Sequence, residues 1–99
     1  MAGLDPDPTE LAGVTDLAGA CAWVGLDNVL RDALYSKAGT PNVVRDIAFI
    51  SKIDWDNLLS SVEIRTGTIE LPTSRPPTPV EASRFWSFRR VCRLRCGLA

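Results

Sequence analysis

The sequence predicts an all-α protein: a small bundle of about four short helices, followed by a Pro-rich linker and a basic C-terminal tail. Apolar residues recur at helical spacing between residues 15 and 65, and capping residues separate the segments. Four prolines fall within residues 72–79. In a chain of 99 residues we expect a flexible lead-in over 1–14, a helical domain over 15–65, an extended linker over 66–83 and a tail over 84–99, disordered or a short helix.

Two helices are predicted in the first third of the domain. Thr15 or Asp16 can cap the start of the first helix and Asp27 the start of the second. Gly25 and Gly39 are placed as helix ends, because glycine adopts the left-handed conformation that commonly terminates a helix. The apolar positions are Leu17, Cys21 and Val24 in the first helix and Val29, Leu30, Ala33 and Leu34 in the second.

The stretch 40–62 predicts two further helices that meet at Ser51. Thr40 is the candidate N-cap of the third helix and Pro41 its first residue. Ser51 can cap the fourth, with Asp54 three residues on. The apolar stripes are Val43, Val44, Ile47, Ala48 and Ile50, then Trp55, Leu58, Leu59 and Val62. We expect Trp23, Phe49 and Trp55 to supply the aromatic part of the core.

The same stretch carries the pattern V-x-D-I-A-x-I-S-x-x-D-W, preceded by a leucine-containing helix and a glycine corner. The residues concerned are Leu34, Gly39, Val44, Asp46, Ile47, Ala48, Ile50, Ser51, Asp54, Trp55 and Leu58. This pattern, over about half of the chain, resembles SAM-like and helix-hairpin-helix type domains. The resemblance implies self-association and protein binding, or binding to a nucleic-acid backbone. Only Lys37 lies near the glycine corner, and this favours protein binding for the helical domain.

The charge is distributed unevenly along the chain. Residues 1–74 hold five basic and eleven acidic side chains, a net charge of −6, whereas residues 75–99 hold six arginines and one glutamate, a net charge of +5. The tail residues that could bind nucleic acid through phosphates and stacked bases are Arg84, Trp86, Arg89, Arg90, Arg93 and Arg95. A solvated tail, a tail folded back on the acidic domain and a membrane surface are the alternatives; we do not expect a membrane partner.

No enzyme is expected, since the chain has no histidine and no phosphate-binding glycine motif. Asp54 and Asp56 would diverge on a helix, and Cys92 with Cys96 supplies too few ligands for a closed zinc site. No cofactor and no metal site are therefore predicted. An odd number of cysteines and an N-terminus without a signal-peptide pattern indicate the cytoplasm or nucleus.

The proline-rich segment has two further features. Pro76 to Pro79 forms a P-x-x-P, although Arg75 lies at an unusual offset for an SH3-type ligand, so a linker is favoured. Thr78-Pro79 could accept a proline-directed phosphate. The sequence thus predicts a non-enzymatic protein-interaction module, self-associating in one version. The alternative is a nucleic-acid-binding protein that uses the Arg-rich tail, with the helical body as scaffold. A fragment of a larger protein is the third interpretation.

Overall fold

The computed structural model describes residue 11 and residues 13–98. In this part of the chain there are five helices and two short strands: α1 (Leu17–Val24), α2 (Asn28–Ala38), α3 (Val44–Ala48), α4 (Lys52–Ser61), β1 (Ile64–Arg65), β2 (Ser74–Arg75) and α5 (Pro79–Arg95). The all-α class is confirmed. Most of the predicted lead-in, residues 1–10 and 12, lies outside the described residues.

Local capping explains why three of the helices begin where the sequence predicts. The Asp16 carboxylate accepts a hydrogen bond from the Gly19 N–H at 2.8 Å, and the Asp27 carboxylate one from the Leu30 N–H at 2.9 Å. Ser51 Oγ accepts from the Asp54 N–H at 3.1 Å. Each bond satisfies an N–H group that has no partner within its own helix. Gly25 and Gly39 end α1 and α2 with φ of 80° and 87°.

The start of α3 differs from the prediction. Thr40 has a φ of 58°, and its N–H donates to the Tyr35 carbonyl at 2.9 Å, so it completes the end of α2 instead of capping α3. The third helix begins only at Val44. The Asp46 carboxylate replaces the missing cap, because it accepts from the N–H groups of Asn42 and Val43 at 2.9 and 3.3 Å.

One apolar core joins all five helices. Ile47, Trp55 and Leu59 are buried as predicted, and Leu58 is partly buried. The lead-in also contributes, since Leu11 and Val14 are buried. The buried residues are Leu11, Val14, Leu17, Ala20, Cys21, Leu26, Leu30, Leu34, Ile47, Ala48, Trp55, Leu59, Val62, Ile64, Phe85, Phe88, Val91 and Cys92. The core therefore extends beyond the predicted domain of residues 15–65 at both ends.

The C-terminal segment is the main correction to the predicted organisation. Residues 79–83 are helical rather than extended, and the expected tail is most of a 17-residue helix, α5, that packs on α1 and α3. Four residues at helical spacing are buried on one face of α5: Phe85, Phe88, Val91 and Cys92. Burial of these side chains stabilises the segment, and it is neither disordered nor separate from the domain.

Two predicted core aromatics lie on the surface instead. Trp23 is 42% exposed and Phe49 is 65% exposed. Both fall outside the stripes that direct α1 and α3 toward the core, and Phe85 and Phe88 occupy the aromatic positions of the core in their place. The expectation for Trp55 alone was correct.

The segment between α4 and α5 contains a small hairpin. Strands β1 and β2 pair antiparallel, with Ile64 opposite Arg75 and Arg65 opposite Ser74. Residues 66–73 form the connecting loop. A side chain at Gly67 would collide with the backbone of Leu71 and Thr73, so the loop requires glycine there.

Candidate functional site

The predicted nucleic-acid residues of the tail divide into two groups on α5. Trp86, Arg89, Arg90 and Arg93 recur at i, i+3, i+4 and i+7, so they share one face of the helix. Arg84 and Arg95 lie on the other side of α5, since they are eleven residues apart and out of phase with that face. The structure thus brings together four of the six predicted residues, and the sequence already contained this spacing.

Two arginines of that face bind the end of α3. Arg89 donates through Nε and Nη2 to the Ile50 carbonyl oxygen at 3.0 and 2.9 Å, and Arg93 Nη1 donates to the Ala48 carbonyl at 3.0 Å. The last carbonyls of a helix lack intrahelical partners and carry the negative end of its dipole. Arg93 therefore caps α3 from a different helix, and Arg89 binds the turn that follows α3.

The two arginines outside that face, Arg84 and Arg95, have unlike surroundings. Arg95 Nε donates to the Val14 carbonyl at 2.6 Å and so fixes α5 to the residues before α1. Arg84 is exposed near the start of α5. The Arg95 contact therefore stabilises the folded structure. Neither Arg84 nor Arg95 shares the helix face of the other four predicted residues.

A cleft of about 320 Å³ lies along the arginine face. Its lining consists of Lys52, Arg89, Arg90, Arg93 and Leu94. The pKa of Arg89 is lowered, first by burial and then by the nearby charge of Arg93. Two guanidinium groups thus repel each other across a partly desolvated site. A carboxylate or phosphate placed in the cleft would reduce that repulsion and accept charge-assisted hydrogen bonds.

Large apolar side chains are exposed next to this cleft in the chain. Phe49 separates Ala48 from Ile50, the two residues whose carbonyls bind Arg93 and Arg89, and it is 65% exposed. Ile53 follows the cleft residue Lys52 and is 75% exposed. We call this surface the cationic corner: the cleft residues Lys52, Arg89, Arg90, Arg93 and Leu94 together with Phe49 and Ile53.

Sequence reasoning missed Lys52, Phe49 and Ile53 as surface candidates. The signal was present, because neither Phe49 nor Ile53 belongs to the apolar stripes of α3 and α4. An apolar residue that is out of phase with its helix stripe is exposed unless another element covers it.

The structure does not add support for a metal site or for a reactive cysteine in the described residues. Within the described residues, no group of three or more potential ligands is placed to hold a metal ion. Cys21 and Cys92 are buried free thiols, and burial raises the pKa of both, to about 12 for Cys92. Cys21 Sγ also lies 3.5 Å from the Tyr35 hydroxyl. Thiols held in the protonated form are poor nucleophiles and poor metal ligands.

A second depression, of about 350 Å³, is shallower and lies beside α1 and α2. It includes Arg31 and Asp32, which form an ion pair of 3.1 Å. Because its charges already compensate each other, it offers a ligand less than the cationic corner does.

Comparison of the sequence and structure with protein-family models, curated proteins and solved structures gave no match. Among the helices in the described part of the chain, none has the length and apolar character required to cross a membrane.

Proposed function

We propose that this protein is a non-enzymatic interaction module whose cationic corner binds a short acidic segment of a partner protein. The observation that carries the proposal is a cleft lined by four basic side chains, with exposed Phe49 and Ile53 next in the chain to residues that line it or bind its arginines. A partner segment with carboxylates and one large apolar side chain complements both parts. Apolar contact would supply affinity, and the carboxylates would supply orientation and a faster association rate.

The exposed aliphatic side chain of the cationic corner favours a protein partner over nucleic acid. Arg89, Arg93 and Arg95 direct donors to backbone carbonyls, which leaves fewer of their N–H groups for an anion of either kind. Ile53 cannot stack on a base, although it can pack against an aliphatic or aromatic side chain. The sequence before residue 75 carries a net charge of −6, which opposes the approach of a long phosphate polymer more strongly than that of a short segment with a few carboxylates.

Nucleic-acid binding is the alternative, supported by the shared face of Trp86, Arg89, Arg90 and Arg93. In that version the body is a scaffold for α5, and phosphates occupy the cleft. Self-association is the other form of the protein-binding proposal.

The free thiols of Cys21, Cys92 and Cys96 support the cytoplasm or nucleus as the location.

The test is a binding titration by fluorescence anisotropy with three labelled probes. One probe is a short peptide that combines Asp and Glu with Leu and Phe, the second is the same peptide with Lys in place of the acids, and the third is a single-stranded oligonucleotide. We expect the acidic peptide to bind, the basic peptide not to bind, and the affinity to fall as salt rises.

Point variants locate the site. Phe49→Ala and Lys52→Glu are each expected to weaken acidic-peptide binding by about tenfold or more, equivalent to roughly 1.4 kcal/mol. Val29→Ala and Arg84→Glu change exposed residues elsewhere and are the matched controls. Oligonucleotide binding without peptide binding would support the alternative instead. Equal losses in the control variants, or no binding of any probe, would refute the proposed surface.

A further inference from the structure

The sequence contains two Thr-Pro pairs, Thr40-Pro41 and Thr78-Pro79, and no Ser-Pro pair. Both threonines are exposed. Their backbones differ: Thr40 has a φ of 58°, in the left-handed region, whereas Thr78 has φ −73° and ψ 164°, an extended conformation. Two otherwise similar dipeptides are thus presented to solvent in different shapes.

Thr78 is also linked through Glu81 to a guanidinium, a group that pairs well with phosphate. It is the N-cap of α5: its Oγ1 accepts from the Glu81 N–H at 3.3 Å, and its own N–H donates to Glu81 Oε1 at 2.9 Å. Arg75 donates through Nη1 and Nη2 to the two carboxylate oxygens of Glu81, at 2.6 and 2.9 Å. The Thr78 N–H and the Arg75 guanidinium therefore share one acceptor, the Glu81 carboxylate, and the guanidinium has the bidentate geometry that a phosphate also accepts.

We propose that Thr78 is the acceptor of a phosphoryl group from a proline-directed protein kinase, and that Arg75 then pairs with the phosphate in place of Glu81. In the transfer, Thr78 Oγ1 forms a bond to the γ-phosphorus of Mg-ATP, and the bond from that phosphorus to the β-phosphate oxygen breaks. The hydroxyl proton passes to the base of the kinase, and ADP leaves. This inference is independent of the proposed function at the cationic corner.

Access to the kinase distinguishes Thr78 from Thr40. Thr78 follows Pro76 and Pro77 in an extended approach, and Pro79 has no N–H group to lose when the first turn of α5 opens. Helix ends open locally at low free-energy cost. The Thr40 N–H is bonded to the Tyr35 carbonyl in a left-handed turn, so binding in an extended groove would first require the end of α2 to unwind.

The new phosphate would rearrange the start of α5. A phosphate at a helix N-terminus interacts favourably with the helix dipole and with N–H groups of the first turn. It also repels the Glu81 carboxylate, which competes for the same guanidinium. Arg75 belongs to β2, and its ion pair with Glu81 links the hairpin to α5. After phosphorylation, an ion pair between Arg75 and the phosphate on residue 78 would replace that link.

The experiment treats the full chain with a purified proline-directed kinase and Mg-ATP and locates phosphate by mass spectrometry. A synthetic peptide of residues 72–83 is the reference substrate. We expect one phosphate per chain on Thr78, at a rate at least about tenfold above that on Thr40. Thr78→Val should remove it. Comparable modification of Thr40, failure of the peptide as a substrate, or a modified peptide with an unmodified folded chain would each overturn the proposal.

A second measurement tests the role of Arg75. The pKa for the second ionisation of the phosphate is followed by phosphorus NMR in the phosphorylated protein, in Arg75→Gln and in Arg84→Gln. Pairing with a guanidinium favours the dianion, so this pKa should be about 0.5 or more higher in Arg75→Gln than in the other two. Equal values in all three proteins would show that Arg75 does not bind the phosphate.

Discussion

The shortest and the longest helix in the described part of the chain, α3 and α5, differ in how far each depends on the other. α3 has five residues, begins at Val44 without a side-chain cap from Val43, and is far too short to be stable alone. α5 has 17 residues, a capping box formed by Thr78 and Glu81, and a proline in its first turn. α5 also supplies the cationic groups that bind the carbonyls at the end of α3. α3 therefore depends on contacts with α5, whereas the caps of α5 lie within its own segment.

The same comparison explains how the basic end of the chain meets the acidic part. Folding back on the domain, one of the alternatives raised by the charge distribution, is what the structure shows. The contacts of Arg89, Arg93 and Arg95 are made with carbonyl oxygens, and the neighbouring residues Phe85 and Phe88 are fully buried. Apolar burial and helix capping thus hold α5 in place.

Removal of α5 should have the largest effect. A chain ending at Pro77 loses four buried side chains, each worth about 1.5–3 kcal/mol, whereas a small domain has only about 5–15 kcal/mol of stability in total. We expect it to lack a cooperative thermal transition by circular dichroism. A chain ending at Cys96 keeps all of α5 and should melt like the full chain. A cooperative melt of the shorter form would mean that α1–α4 fold alone.

Two phenylalanines represent the two kinds of surface: Phe88 lies on the core face of α5, and Phe49 lies at the solvent-exposed turn between α3 and α4. Phe88 is 0% exposed and Phe49 is 65% exposed. Phe88→Ala should cost about 3–5 kcal/mol in the free energy of unfolding, and Phe49→Ala less than about 0.5 kcal/mol. Urea denaturation of both variants measures the difference. Similar losses in the two variants would contradict the assignment of Phe49 to the surface.

The contrast between α3 and α5 also shows what sequence can predict here. The side chains of Asp16, Asp27 and Ser51 each accept a hydrogen bond from the N–H group three residues later. Because these bonds are local, the sequence pattern predicts the starts of α1, α2 and α4. The carbonyls of Ala48, at the end of α3, and of Ile50, just beyond it, are bound by Arg93 and Arg89, which are 45 and 39 residues away. Short-range spacing contains no information about such pairs.

The position of α5 was partly visible in the sequence. Phe85, Phe88 and Cys92 already had core spacing, but the intervening arginines indicated solvent. Arginine can pack its aliphatic stem on apolar surface while its guanidinium reaches a polar partner. Arg89 is half-buried, and its guanidinium reaches the Ile50 carbonyl. The cationic corner was missed for a similar reason, since Lys52 and Arg89 come together only in the folded chain.

An intermediate effect is expected from the bonds between Arg89 and the turn that follows α3. Arg89→Gln removes two charge-assisted hydrogen bonds to the Ile50 carbonyl and should destabilise the protein by about 1–3 kcal/mol. Arg84→Gln changes an exposed arginine of the same helix and should remain within about 0.5 kcal/mol of the original protein. Hydrogen exchange of α3 amides in Arg89→Gln should quicken more than that of α2 amides. Uniform exchange changes would contradict a local role.

The smallest effect should appear at low pH, at the start of α5. Hydrogen bonds from Arg75, and then from the Thr78 N–H, lower the pKa of Glu81 to about 2 from an ordinary value of 4.5. Between those pH values the unfolded chain binds the proton and the folded chain does not. The free energy of unfolding therefore decreases as the pH is lowered through this range. The contribution of Glu81 is complete above about pH 4.5 and is lost as pH falls through about 2.

Thermal melting of the original protein and Glu81→Gln between pH 7 and pH 2.5 measures this contribution. The comparison between variants removes the effect of the other carboxyl groups that titrate in the same range. The original protein should melt higher at pH 7, and the difference should shrink toward pH 2.5. Arg75→Gln should show the same trend, because Arg75 is the largest cause of the lowered pKa. Since the ion pair is partly exposed, added salt should reduce the difference at pH 7. A difference that is constant over this pH range would mean that Glu81 stabilises α5 without its charge.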